Sequence, residues 1–248
     1  MNLPQSPWPV SMVILTIWLF IVVGGGLLQV KGQPTQLSEL IKNQIMFNVL
    51  VAIVFLIVVI TLFKWWSQVG WKYPDNLQNL RLLWPPVVVL VFLLLTVINT
   101  GLPSTKVLML VIVNTLMVGI SEELMFRGIL FHGASSSFGI WRAVWITAII
   151  FGSIHTLNSL ITGNFWASTL QALFAATFGI WTVALRVRLN TILPVIVIHW
   201  LWDCLAFLTN PFGDMALLPF ALVLFIYGLW LLRNYRHGKV DSRSISHF

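Results

Sequence analysis

The stretch MLVIVNTLMVGISEELMFRGILF, residues 109–131, is long and apolar enough to cross a lipid bilayer, yet it carries two adjacent glutamates and an arginine. A hydrocarbon core about 30 Å thick takes roughly 20 apolar residues per helical crossing. A charged carboxylate deep in that core costs on the order of 2.5 to 3.5 kcal/mol, so such groups face a cavity, pair with one another, or do both. Three ionisable side chains in one such run read by default as a functional site, provided that the rest of the chain is membrane-embedded too.

Composition supplies that condition. Of the 248 residues, 58% are hydrophobic and 8% charged, with a mean hydropathy of +0.93. An ordinary soluble domain is about one-quarter charged. Eight apolar windows of span length, near residues 8–29, 44–63, 83–101, 105–131, 141–158, 166–185, 191–209 and 215–232, leave too little polar sequence to clothe a soluble surface. The expected fold is all-α: a polytopic, integral membrane protein of about eight transmembrane helices, with residues 1–248 forming one membrane domain. The first window reads as a retained helix, because its leader MNLPQSPWPVS has no Lys or Arg and no small-x-small cleavage site follows. The GGG at 24–26 reads as close helix packing or a kink.

Orientation follows from where the 14 Lys and Arg fall. With both termini cytoplasmic, the inner side receives Lys64, Lys72, Arg81, Arg142, Arg186, Arg188, Arg233, Arg236, Lys239 and Arg243, and Arg127 lies toward it; the outer side keeps Lys31, Lys42 and Lys106. An N-in, C-in topology is expected, and the net charge of +7 is accounted for by it and by anionic headgroups of the bilayer. No basic, aromatic-laced module suggests a nucleic-acid partner. Tryptophans such as Trp65, Trp66, Trp71, Trp84, Trp141 and Trp166 fall near window ends, as an aromatic belt would. Cys204 is the single cysteine, which excludes an internal disulfide and reads as a small buried residue. The polar C-terminal tail RNYRHGKVDSRSISHF reads as a frayed end.

Three acids and two histidines lie inside windows, Glu122, Glu123, Asp203, His155 and His199, together with Arg127. Glu123 and Arg127 stand four apart, the favourable order for an ion pair along one helix face. Glu122 is turned about 100° away and stays free. In FGSIH, Phe151 and His155 share a face, and in HWLWD so do His199 and Asp203. Two imidazoles and two carboxyl groups from three helices are parts for activating water: a glutamate accepts its proton, and histidines position it, donate to an oxyanion, or bind a metal that acidifies it. Hydrolysis is the reaction class suggested, with structural glue and an ion or solute transport site as the alternatives. On these boundaries His155 lies near the outer end of its span and Glu122 near the inner end of its own. Tilt, a break near Gly133 and Gly139, or different span ends must bring them together.

The ordered trio EELMFRG, FGSIH and HWLWD resembles the motifs of the CPBP family: CAAX prenyl proteases of the Ras-converting kind, bacteriocin-processing and self-immunity proteins, and the Abi group. The likeness covers about residues 105–209. It implies an eight-helix intramembrane endopeptidase, with Glu122 as general base, His155 as its partner in holding water, and His199 and Asp203 stabilising the oxyanion. Glu123, Arg127 and Phe151 are then supporting residues. Ras-converting enzymes typically carry Asn where this chain has Asp203, and an ionised Asp offers no donor. Asp203 is therefore left to orient His199, to bind a metal, or to act with its proton on. A metal site, zinc being the candidate, would draw on Glu122, His155, His199 and Asp203; a metal-free, glutamate-dependent mechanism is the rival form, and the one favoured here. The implied partner is a peptide or membrane-protein substrate, prenylated or not, within the bilayer. A membrane scaffold or bacteriocin-immunity protein is the reading outside the enzyme class, and a transporter the next.

Overall fold

The computed structural model describes residues 7–209, 218–233 and 235, so most of the C-terminal tail, the start of the eighth window and Arg236, Lys239 and Arg243 lie outside the described residues. Every regular element described is helical. α1 (Pro7–Val30) and α2 (Leu37–Asn43) lead into α3 (Phe47–Phe63); a 3-10 segment precedes α4 (Trp84–Thr100); then come α5 (Thr105–Phe138), α6 (Ile140–Thr162), α7 (Phe165–Leu189), α8 (Leu193–Leu208) and α9 (Leu218–Leu232). α1, α5, α6 and α7 by themselves, and α4 together with its 3-10 lead-in (Leu77–Thr100), are long and apolar enough to cross a membrane; α2 and α3 pass that test as a pair, and α8 and α9 are shorter apolar helices. The outward faces carry Val51, Val54 and Val58 on α3, Val88, Val91 and Leu95 on α4, and Val223 and Ile226 on α9, all exposed. Such stripes suit a lipid solvent, and the chain is an integral, multi-pass membrane protein.

Two departures from the expected windows have local causes. The second window, 44–63, is preceded by a separate short helix, α2, outside the expected window, and the chain bends by 85° between α2 and α3. Asn114 of α5 makes that bend possible: its Nδ2 donates to the carbonyls of Ile41 and Gln44, both at 2.8 Å, and its Oδ1 accepts from Met46 N at 3.0 Å. One buried amide thus satisfies the backbone groups that the break leaves unpaired. The fourth window was expected to end at Phe131, but α5 runs on to Phe138. The small polar run HGASSSF stays helical with Ser135 and Ser136 hydroxyls returned to the His132 carbonyl at 3.2 and 2.8 Å. Gly139, at φ +79°, then turns the chain into α6.

This longer helix resolves the mismatch in depth. Glu122 sits in the middle of the 34 residues of α5, not near an end, while His155 begins the 3-10 turn that follows the regular part of α6. No break occurs at Gly133.

Glycines allow the close approaches around this centre. A Cβ on Gly25 would sit 2.5 Å from Asn48 Cβ, so the GGG run is a packing surface for α3, next to a π-helical segment at Phe20–Gly24. A Cβ on Gly152 would lie 2.7 Å from the Ala172 carbonyl, so α6 can lie hard against α7 beside Phe151.

Candidate active site

The middle of α5 is a π-helix over Glu123–Leu130, and every residue in it is buried. A π segment is rare because its wider turn leaves backbone groups poorly served, and it recurs at functional sites. Here help comes from α1. Ser11 Oγ donates to the Ile129 carbonyl at 3.1 Å, and Trp18 Nε1 donates to Ser121 Oγ at 2.9 Å, next to Glu122. The Trp18 ring also meets Phe126 edge-on at 5.5 Å.

Glu123 and Arg127 form the pair their spacing suggests, with Nη1 3.1 Å from Oε1 and both side chains at most 1% exposed. Burial of that degree would be costly without further partners. Arg127 finds them on α7: Nε and Nη2 donate to Thr182 Oγ1 at 3.0 and 2.6 Å, and Thr182 passes its own hydroxyl proton to the Phe178 carbonyl at 2.7 Å. The guanidinium also lies 4.1 Å over the Phe151 ring, a cation–π contact. Its Nη1 is off the hydrogen-bond angle to Glu123, and Glu123 Oε2 has no hydrogen-bond partner among the described residues.

Glu123 does more than neutralise Arg127. His199 Nδ1 donates to Glu123 Oε1 at 2.6 Å, across 76 residues of chain. The carboxylate thereby fixes the ring and leaves Nε2 directed at the two carboxyl groups of the cavity: Glu122 Oε2 at 3.7 Å and Asp203 Oδ2 at 3.5 Å. Of the three options open for Asp203, holding the rear nitrogen of His199 is thus taken by Glu123.

His155 is held differently. Its Nδ1 lies 2.7 Å from the Phe151 carbonyl, which can only accept, so Nδ1 carries the proton and Nε2 presents a lone pair. The Phe151 ring stands edge-on to the His155 ring at 4.8 Å, between it and Arg127.

Glu122, Phe151, His155, His199 and Asp203 line one cavity of about 290 Å³ whose other walls include Val118, Phe174, Phe178, Trp181 and Trp202. The structure therefore brings together the four residues singled out as catalytic, with Glu123 and Arg127 packed behind them. Sequence spacing missed Thr182, Phe178 and Trp18. Thr182 left a trace, a hydroxyl in the otherwise apolar run FGIWTVAL; Trp18 left none, being one Trp among 13. Trp65 also departs from the aromatic-belt expectation: it is 9% exposed and packs on Phe63 and His132, whereas Trp84 and Trp166 are 66% and 79% exposed.

Among the described residues no three His, Cys, Asp or Glu side chains stand grouped to hold an ion, the set of Glu122, His155, His199 and Asp203 included. Comparison with known families matches residues 104–205 to the family described as type II CAAX prenyl endopeptidase, Rce1-like. All three motifs fall in that stretch, while α1 to α3, which complete the cavity wall, lie before it. Curated proteins and solved structures give no match to the chain.

Proposed function

Taking the Rce1-like domain at residues 104–205 as premise, with the CAAX-type intramembrane protease class it implies, we propose that this chain hydrolyses a peptide bond with water activated by Glu122 and His155. The observation that carries the reading is that one cavity collects Glu122, His155, His199 and Asp203 from three helices. A water between Glu122 and His155 meets two acceptors, the carboxylate and the Nε2 lone pair, so both its hydrogens are engaged and an oxygen lone pair is left for attack.

In the proposed step the water oxygen bonds to the scissile carbonyl carbon as its proton passes to Glu122. His199, carrying a proton on each ring nitrogen among the carboxyl groups around it, donates Nε2–H to the oxyanion that forms, and Glu123 holds the ring in place for that task. The tetrahedral species collapses with cleavage of the C–N bond, and Glu122 returns its proton to the leaving nitrogen. Asp203 flanks the oxyanion; a carboxyl group offers a donor there only with its proton on, an amide always. No step is routed through a metal.

The test is cleavage, read by mass spectrometry, of a farnesylated peptide ending in Cys-aliphatic-aliphatic-Xaa and of its unprenylated counterpart, by purified protein with and without chelator. Products from the wild type that vanish with Glu122→Gln, and persist in chelator, are expected. Cleavage that survives Glu122→Gln overturns the base assignment, loss in chelator restored by zinc overturns the metal-free form, and folded protein that cleaves neither peptide favours a scaffold.

A further inference from the structure

The hydrolytic reading uses the acids and imidazoles of the cavity but not the four neutral amides on its wall, of which Gln29 and Asn48 donate to the Ile45 and Val22 carbonyls and the other two bond to each other. Asn158 ends the 3-10 turn His155–Asn158, and Gln171 stands on α7; both line the same cavity and are part-buried. Asn158 Nδ2 donates to Gln171 Oε1 at 2.9 Å. That bond uses one end of each amide. The ends left over are an acceptor, Asn158 Oδ1, and a donor, Gln171 Nε2, and neither makes another hydrogen bond among the described residues.

The turn they stand on sets their distance from the chemistry. A 3-10 helix has three residues per turn and rises about 2 Å per residue, so side chains at i and i+3 eclipse. Asn158 therefore follows His155 along the same side, about 6 Å on. Extended peptide advances about 3.3 Å per residue, so 6 Å is close to two residues. A main-chain amide group offers one N–H and one C=O, the complement of one free acceptor and one free donor. Both free ends open to the cavity, where an occupant that supplies both bonds takes the place of water.

We infer that the Asn158–Gln171 pair is a main-chain docking subsite, which holds an extended peptide by an amide group about two residues from the bond presented to Glu122 and His155. This rests on the peptidase reading above. Because the pair reads backbone and not side chains, it fixes the register of the peptide while tolerating varied residues at that position. A strut between α6 and α7 would need only the 2.9 Å bond, and the subsite needs the two free ends as well.

The test is binding, so it does not depend on turnover. Fluorescence anisotropy of a fluorescein-labelled farnesylated Cys-aliphatic-aliphatic-Xaa peptide is measured on the Glu122→Gln protein, along with peptides in which each backbone amide in turn is replaced by an ester, which keeps C=O but has no N–H. One ester position is expected to weaken binding about tenfold, as loss of a buried hydrogen bond does. That penalty is expected to vanish when Asn158→Ala is added, and the all-amide peptide then binds about as weakly as the ester did. Should Asn158→Ala fail to fold, Gln171→Met tests the α7 side: it removes the donor to the peptide carbonyl, so the all-amide peptide is expected to bind about tenfold more weakly while the ester penalty, which belongs to Asn158, remains. An ester profile unchanged by Asn158→Ala, all-amide affinity unchanged by Gln171→Met, a lower Tm with unaltered affinity, or no binding of the all-amide peptide overturns the subsite. Peptide bound through the pair but never cleaved by wild type would sink the peptidase reading alone.

Discussion

Two ion pairs in this chain have similar spacing and opposite surroundings. Lys72 and Asp75 meet at 2.7 Å on the surface, with side chains 32% and 60% exposed; Glu123 and Arg127 meet at 3.1 Å with at most 1% exposed. Water screens the first pair, which ties down a loop also stitched to the α7–α8 turn by Asn190 Nδ2 on Asp75 Oδ2 at 2.6 Å. The second pair has given up its water and stands only because Thr182, Phe151 and His199 surround it. Exposure, more than distance, decides what each pair does: one trims stability, while the other shapes a site by holding His199.

The sharpest way to break this comparison is to remove one buried partner. Arg127→Met is expected to destabilise by about 3 to 5 kcal/mol, since the Glu123 carboxylate is left uncompensated, and a thermal melt in detergent reads it. A melt within 1 kcal/mol of wild type (roughly the range of an exposed pair) would erase the distinction. Next is the exchange Glu123→Arg with Arg127→Glu. A pair that served only itself would tolerate it, but here it is expected to abolish cleavage, because His199 Nδ1 loses its acceptor. Activity near wild type in the double variant would reduce Glu123 to a counter-ion.

Thr182→Val is a smaller probe. It keeps the shape and removes the acceptor of two Arg127 donors, at an expected cost of about 1 to 3 kcal/mol. An unchanged melt would mean that Arg127 needs only Glu123. The smallest effect belongs to Asp75. The Asn190 amide first, and then Lys72, hold its carboxyl below the ordinary 3.8. A lowered folded-state pKa stabilises above the unfolded value, and that stability is lost as pH falls from there through the folded one. Asp75→Asn is expected to remove this acid-side slope while costing less than about 1 kcal/mol at pH 7. A larger loss would show that the loop depends on this carboxylate.

What was legible in the sequence was what helix geometry makes local. Residues four apart on a helix meet wherever that helix goes, so the Glu123–Arg127 pair and the shared faces of Phe151 with His155 and His199 with Asp203 could be read from spacing. Apolar run length likewise revealed the membrane class and most spans. The extension of α5 to Phe138 was not legible, because Ser135 and Ser136 look like loop residues until their hydroxyls are seen bonded to the His132 carbonyl. The bend before α3 was hidden for a similar reason, its backbone partner Asn114 lying about 70 residues away.

By itself, then, the sequence determined that this chain lives in a bilayer, which ionisable residues it can least afford to strand there, and which of them share a helix face, since hydrophobic length and helical period are properties of contiguous residues. Only the tertiary structure decided that Glu123 fixes His199 while Glu122 faces the cavity, and that Thr182 and Trp18 support them. Those choices depend on where distant helices cross, and a single neighbouring hydroxyl, carboxylate or ring at a crossing sets the direction in which a buried polar group can turn.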